Sequence, residues 1–331
     1  MSLKRIAEMV GVSPSTVSRV LNDVSATCAS KEVRDRIFEA AREIGYRPNE
    51  NARKLRSASD NNEKNYHVSI VLARIKSLDT DPFFYELFHE IEVALFQNGI
   101  ETDHVIYADE ELSQDVSKSD GVFIVGRCLP KLFQQISDAN RNVVAISRNS
   151  MDYEIDQVLC DGRKAAELAM EHLISLGHKN IAYIGDCSYE DRYVGYCNSL
   201  IGRNLPMNHI WIKDTNQTKE AAGAAFQKLL EQSEDFSAVF CANDITAISV
   251  LEILKRERKK IKRQISVISI DNIEASQNTS PYLTTINIPH KEMAHMATVL
   301  LLDRMNKQHL EPVRIEFPCR IVNRSSCYEY K

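Results

Sequence analysis

Polar side chains follow several apolar segments of the sequence, at points where buried strands would end. Asp161, Asn243 and Asp271 each come directly after such a segment, and Arg192 lies shortly after another. Carboxylates and an arginine fork can each bind two adjacent oxygens, which suits a ligand rich in hydroxyl groups. A single Asp or Asn between a strand and a helix more often caps the helix. Three such residues at strand ends, together with an arginine, favour a shared polar cleft for a small molecule.

Two adjacent aromatic residues could complete this cleft. Phe83 and Phe84 could cover the apolar side of a sugar, although core packing is the more frequent role of such side chains. The sequence has no Walker loop and no G-x-G-x-x-G motif, so it does not indicate a nucleotide cofactor. The eight cysteines are scattered without the spacing of a zinc site or a redox pair. We therefore expect no metal, and free thiols in a reducing cytoplasm.

A second set of chemistry-bearing residues lies in GVSPSTVSRVLN (11–22), where small polar groups crowd the start of a helix. Ser13 suits the N-cap and Pro14 suits the first helical position. Arg19 follows Ser15 by four residues, so both lie on one helix face, within reach of a guanine edge or a phosphate. Small groups and free N–H groups at a helix start suit entry into the major groove. A capped surface helix is the alternative.

The elements around this stretch favour DNA binding. Apolar residues at helical spacing predict three short helices before residue 47, with Gly11 as a stop signal between the first two. This is a helix-turn-helix pattern. The segment that follows (46–65) places Arg53, Lys54 and Arg56 beside one large apolar residue, Leu55, which fits a wedge inserted into a minor groove. Within it, NENARKL (49–55) could form two helical turns, but so short a helix is marginal alone, so we expect it to fold only against a partner.

Charge is unevenly distributed along the chain. Taken by itself, the net charge of −5 argues against binding to nucleic acid. Residues 1–60, however, carry 11 Lys and Arg and only 8 Asp and Glu. A mildly basic head on an acidic body is consistent with one small module that binds an anionic partner, although ordinary fluctuation would give a similar count. No apolar run approaches the length of a membrane span, and the start of the chain does not resemble a signal peptide.

Short apolar strands alternate with amphipathic helices from Tyr66 onward. This alternation predicts parallel sheets that are covered by helices on both faces. The fold class is therefore α/β, with a three-helix head and a core of two doubly wound subdomains. In such sheets a ligand binds beyond the carboxyl ends of the strands. The helix at 290–305 carries an apolar stripe that predicts either a dimer interface or plain core. The stripe consists of Met293, Met296, Ala297, Leu300 and Leu301.

The head resembles that of the lactose/galactose repressor (LacI/GalR) family. The resemblance is carried by LKRIAEMVGVSPSTVSRVLN (3–22), followed by VRDRIFEAAREIGYRPNENARKL (33–55). It implies a helix-turn-helix domain over 1–47 and a hinge helix and linker over 48–65. It also implies a set of residues that choose the operator, read bases, position phosphates or pry open the central base step. These are Ser13, Pro14, Ser15, Thr16, Ser18, Arg19, Asn22, Asn49, Ala52 and Leu55.

The body resembles the periplasmic-binding-protein-like core of the same family. The landmarks include LISLGHKNIAYIGD, VFCAND, ISVISIDN and SPYLTTINIP. The resemblance implies an effector-binding core over 66–331. Its N-subdomain would span 66–159 plus 290–317, and its C-subdomain would span 160–288 plus 319–331. It places ligand contacts at Phe83, Phe84, Asp161, Arg192, Asn243 and Asp271.

Two departures from the family pattern leave the ligand open. Thr218 stands where many members have an aromatic residue that stacks on the ligand, and Ile288 stands where some have a polar contact. The resemblance implies a cytoplasmic, homodimeric repressor of sugar-utilisation genes that binds a pseudo-palindromic operator. Its expected effector is a sugar, and the landmarks point to a galactoside. A regulator that answers a partner protein or a non-sugar ligand is the alternative. A solute-binding protein would need a signal peptide, and an enzyme would need a catalytic set.

Overall fold

The structure is a computed structural model of the 331-residue chain. It describes residues 3–22, 29–44, 46, 66–107, 110, 114–188, 190–233, 235–259, 261 and 263–330. The predictions for Asn49, Ala52 and Leu55 lie outside the described residues. The three-helix head, the α/β core and its two sheets confirm the fold class expected from the sequence.

Three short helices form the head: α1 (Leu3–Val10), α2 (Pro14–Asn22) and α3 (Lys31–Glu43). Their apolar faces meet in one cluster that includes the fully buried Ile6, Val17 and Ile37. Gly11 ends α1 with a φ of 78°, a left-handed conformation that favours glycine. The sharp turn that follows lets α2 cross α1, as the helix-turn-helix pattern requires.

The first sheet of the core is wholly parallel, in the strand order β11-β5-β4-β3-β1-β2. Its central strands are buried along their whole length, because helices cover both faces. The strands are β1 (His67–Leu72), β2 (Glu101–Tyr107), β3 (Gly121–Val125), β4 (Val143–Ser147), β5 (Asp156–Leu159) and β11 (Arg314–Glu316). The helices are α4 (Pro82–Gln97), α5 (Pro130–Ala139) and α10 (His290–Met305).

The second sheet has the order β12-β10-β9-β8-β6-β7, and only its edge strand β12 is antiparallel among the described strands. The chain passes between the two sheets after β5, after β10 and after β11. The strands are β6 (Ile181–Gly185), β7 (Ile212–Asp214), β8 (Ala238–Cys241), β9 (Ser266–Asp271), β10 (Thr284–Asn287) and β12 (Arg320–Val322). The helices are α6 (Gly162–Ser175), α7 (Asp191–Gly202), α8 (Lys219–Gln232) and α9 (Asp244–Arg256).

The apolar stripe of α10 is mostly core. Met293, Ala297 and Leu301 are fully buried within the single chain. Leu301 lies so close to β3 that a Cβ at Gly121 would approach its Cδ1 to 2.8 Å. This packing favours the core interpretation for these side chains, whereas Met296 is half-buried and the dimer-interface interpretation stays a prediction.

The head contacts the core along α4. Val93 of α4 belongs to the apolar cluster of the head, and Lys31 pairs with Asp79. His89 is buried at this contact, where its Nε2 lies 2.9 Å from an oxygen of Asp35 in α3. Its Nδ1 lies 3.0 Å from the carboxylate of Glu92. A buried histidine between two carboxylates makes the contact dependent on pH.

The head–core contact is expected to weaken as pH rises. Burial lowers the pKa of His89, but the hydrogen bond with Asp35 and the adjacent carboxylate of Glu92 outweigh it and raise the pKa. The stabilisation is therefore complete below about pH 6.5 and is lost as pH rises through the higher folded-state pKa. NMR spectra of the head, recorded between pH 6 and 9, measure its release. Asp35→Asn should flatten this dependence; an unchanged profile in that variant would show that the His89 contact does not control docking.

Candidate effector cavity and DNA-reading helix

A cavity of about 420 Å³ lies where the carboxyl ends of the two sheets face each other. Both sheets contribute walls, so the cavity sits where α/β folds bind ligands. The volume is in the range of small-molecule sites. The lining residues include Arg74, Lys76, Asp81, Phe83, Phe84, Arg127, Arg148, Asn149, Glu190, Arg192, Gln217 and Thr218.

Arg192 anchors the second-sheet side of the cavity. It lies in the first turn of α7, and its Nε donates to Glu190 over 2.8 Å. Its Nη1 donates to the carbonyl of Ala242 over 2.5 Å, and its Nη2 donates to Gln217 over 3.1 Å. Burial would raise the pKa of Glu190, but the guanidinium of Arg192 lowers it to about 2. Protein groups thus hold three of the five N–H directions of this arginine.

Arg148 closes the cavity from the opposite side. It follows β4, and its Nη1 donates to Asp271 at the end of β9. Its guanidinium lies 4.2 Å from the ring centroid of Phe83 and 5.8 Å from that of Phe84. The two phenylalanines are buried side chains that line the cavity and stack on this cation. Both side chains belong to the core and also line the cavity. Core packing and a place in the cavity wall, the two alternatives considered from the sequence, are therefore compatible.

Asp271 is held in an unusual backbone conformation. Its φ is 128°, which L residues rarely adopt, and strain of this kind persists where surrounding structure enforces it. Burial raises its pKa to about 6, although Arg148 and Arg192 oppose the rise. Behind it, the fully buried Asp244 accepts from Ser269, Thr285 and the amide of Ile273. This network fixes the end of β9 and therefore the position of Asp271.

Two of the predicted ligand contacts act as helix caps. Asp161 caps α6 by accepting from the amide of Arg163 over 2.8 Å. Asn243 caps α9 by accepting from the amide of Thr246 over 2.9 Å. Neither is among the residues that line the cavity, whereas Phe83, Phe84 and Arg192 are. The structure thus realises the helix-cap alternative at these two positions.

Sequence reasoning missed a group of cations on the first-sheet wall. Arg74 comes two residues after β1, Arg127 comes two after β3, and Arg148 comes directly after β4. All three line the cavity. The signal was present in the sequence, since each cation follows an apolar strand segment. The polar contacts predicted from the sequence were carboxylates, an amide and Arg192, so these three cations were not predicted.

The face of α2 that is predicted to read DNA is polar and largely exposed. Ser13 caps the helix by accepting from the amide of Thr16 over 3.1 Å, and its hydroxyl also lies 2.8 Å from that of Ser15. Ser13, Pro14, Ser15 and Arg19 are exposed, while Thr16 and Ser18 are half-buried. Asn22 is the last residue of α2, and its side chain lies outside the described part. Val17 and Val20 bury the opposite face.

None of the described helices has both the length and the apolar composition that a membrane span requires.

Residues 2–49 match the model of bacterial regulatory proteins of the lacI family. Residues 170–327 match that of the periplasmic binding protein-like domain. The HTH-type transcriptional repressor CytR of Escherichia coli (strain K12) is 30% identical over 344 residues, covering 98% of this chain and 96% of the relative.

Solved structures agree with this match. A LacI family transcriptional regulator from Enterococcus faecium with bound ribose has a TM-score of 0.71 and 25% identity, covering 80% of this chain and 100% of that one. The lac repressor dimer bound to operator and the anti-inducer ONPF has the same fold, with a TM-score of 0.68 and 21% identity, covering 99% of each chain. A helix-turn-helix head on a two-sheet core with a cleft defines a ligand-controlled transcription regulator. The chain belongs to the lacI family of bacterial regulatory proteins, whose members in these comparisons are regulators and not enzymes.

Proposed function

We propose that this protein is a cytoplasmic transcriptional repressor that binds a pseudo-palindromic operator as a homodimer and responds to a small-molecule effector in the 420 Å³ cavity. The observation that carries the proposal is the exposed polar face of α2, with Arg19 on it, in the same chain as a ligand-sized cleft. A sugar is the effector class that the resemblance suggests. The alternation of the chain between the two sheets, with crossings after β5, β10 and β11, supports the subdomain boundaries expected from the sequence.

Ion pairs across the cleft supply the coupling between effector and DNA. Arg148 pairs with Asp271, and Nη2 of Arg74 lies 3.6 Å from a carboxylate oxygen of Asp186. In each pair the arginine follows a strand of the first sheet and the aspartate follows or ends a strand of the second. A ligand that changes these contacts changes the angle between the two subdomains. This angle sets the separation of the two heads and the stability of the paired hinge segments, where Leu55 would enter the central base step.

Arg19→Ala tests the DNA-reading role. We expect the loss of about 1–3 kcal/mol of operator binding and relaxed preference at one base pair, because a base-edge contact is removed. The operator is first selected by the wild-type protein from random duplexes, and affinities are then compared at fixed salt. Lys259→Ala removes the same charge from an exposed position of the core and should leave affinity unchanged. Equal affinities and equal base preferences for wild type and Arg19→Ala would rule out the base contact.

A further inference from the structure

Cations dominate the charged residues that line the effector cavity. The ends of the three neighbouring parallel strands β1, β3 and β4 place Arg74, Arg127 and Arg148 at one edge of the first sheet. Lys76 and Arg192 extend this set, so five Lys and Arg side chains line the cavity. The described lining residues include two carboxylates, Asp81 and Glu190.

The carboxylates in and behind the cavity are already engaged by protein groups. Asp81 caps α4 by accepting from the amide of Phe83 over 3.0 Å, and Glu190 binds Arg192. Asp271 accepts from Arg148. Asp161 and Asn243, which the sequence had assigned to a sugar, cap helices and are not among the residues that line the cavity.

The cations are partnered as well, since Arg148 pairs with Asp271 and Arg74 lies near Asp186. Each of these contacts uses only part of the five N–H donors of a guanidinium, so the wall still presents mainly donors. Guanidinium and ammonium groups have no acceptor atoms, so their ligand partners must be acceptors. A neutral sugar hydroxyl both donates and accepts, and each buried hydroxyl proton needs an acceptor. A phosphate or carboxylate group only accepts, and it matches the arginine fork in two parallel bonds. The donors of the first-sheet wall therefore suit an anionic group better than a ring of hydroxyls.

One buried acceptor at the cavity wall is consistent with a ligand that also carries a hydroxyl group. Asn149 lines the cavity and is 8% exposed. Its Oδ1 accepts no hydrogen bond within the described part of the chain. A buried polar atom without a partner destabilises the protein, so a ligand hydroxyl that donates to this amide would be favoured.

We propose that the effector is a small hydroxylated anion, a sugar unit that carries a phosphate or carboxylate group, with its charge held by Arg74, Arg127 and Arg148. The inference rests on the proposed function, because it names the ligand of the same cavity. It departs from the neutral galactoside expected from the sequence. The anion binds at the first-sheet wall, and the sugar hydroxyls reach Asn149 and Gln217.

Thermal unfolding with matched ligands tests the charge requirement. The panel is glucose, galactose and fructose, the 6-phosphate of each, gluconate, glucuronate and inorganic phosphate. At a concentration about 100-fold above Kd, a binding anion should raise Tm by about 5 °C, while its neutral parent should not. Comparison of the sugar phosphates with gluconate and glucuronate shows whether the bound charge is a phosphate or a carboxylate. Equal shifts with a neutral parent, or no shift with any of the anions, would overturn the proposal.

Variants then locate the anion. Arg127→Gln and Arg74→Gln should each weaken binding of the active anion at least about tenfold, and added KCl should weaken it further. Lys131→Gln removes a cation from α5, outside the lining residues, and should bind normally. Equal anion affinity in all three variants would place the charge elsewhere and overturn the proposal. Selection of an operator by the wild type is measured separately, without and with the active anion, so failure in both conditions would refute the proposed function and not the anion site alone.

Discussion

Replacing Arg192 with alanine is expected to lower the free energy of unfolding of the core by about 3–5 kcal/mol, the cost of breaking a buried ion pair. Arg192 is 2% exposed and Glu190 is 4% exposed. The substitution leaves the Glu190 carboxylate buried without its cation, and it removes the donor to the carbonyl of Ala242. Urea or thermal unfolding of the variant measures the loss directly.

A double variant separates ion pairing from side-chain packing. Glu190→Gln combined with Arg192→Met removes both charges and keeps much of the volume, so it should recover most of the stability lost in Arg192→Ala. Arg192→Lys keeps the charge but lacks the planar fork, so it should fall between wild type and alanine. A stability of Arg192→Ala within about 0.5 kcal/mol of wild type would show that the pair contributes little.

The structural role of Arg192 complicates the interpretation of effector experiments on variants of this residue. A failure of Arg192→Ala to respond to effector could follow from the loss of the Glu190 pair alone. The contact with Gln217, whose φ of 63° is left-handed, also ties Arg192 to the backbone before α8. Arg127 and Arg74 are better probes of ligand binding, because they lie at the rim of the cavity instead of in this buried network.

The sequence was sufficient for the elements of the fold, because the strands and helices are marked by local periodicity. The predicted helix at 290–305 has the same bounds as α10. The same periodicity could not separate core from interface on α10. An apolar stripe has one pattern in both cases, and only the packing of Met293 and Leu301 against neighbouring elements distinguishes them.

The cavity was harder to predict, because its chemistry depends on pairs of distant residues. Asp271 was expected to contact the ligand, but it is not among the residues that line the cavity; its partner Arg148 lines the cavity and lies 123 residues earlier in the chain. The arrangement of the strands brings Arg148 and Asp271 together, and no local sequence pattern indicates that the two residues are close. A ligand-binding Asp or Asn and a helix-capping one can both follow a strand directly, so the sequence pattern of Asp161 and Asn243 fits either role. Their amide partners one turn into each helix decide their role.

Asp156→Ala is expected to cost about 3–5 kcal/mol, since Asp156 is a fully buried carboxylate that joins β5 to the C-terminal end of α10. It accepts from Nε and Nη2 of Arg304 over 2.7 and 2.8 Å, a bidentate pair. His309 and the amide of Val313 complete its shell at 2.8 and 2.7 Å. Asp152→Ala, at an exposed position nearby, is the matched control and should change stability by less than about 0.5 kcal/mol.

The contribution of Asp156 should disappear in acid. Burial raises the pKa of this carboxyl, but hydrogen bonds from Arg304, Val313 and His309 outweigh it and lower the pKa below its ordinary value. A lowered folded-state pKa stabilises the protein above the unfolded-state pKa of about 3.9, and this stability is lost as pH falls through the folded value. The stability difference between wild type and Asp156→Asn should therefore be constant from about pH 5 to 7 and shrink below pH 4. Urea titrations at pH 7, 5 and 3.5 measure it; a difference of the same size at all three would show that the charge of Asp156 is not what holds α10 to the first sheet.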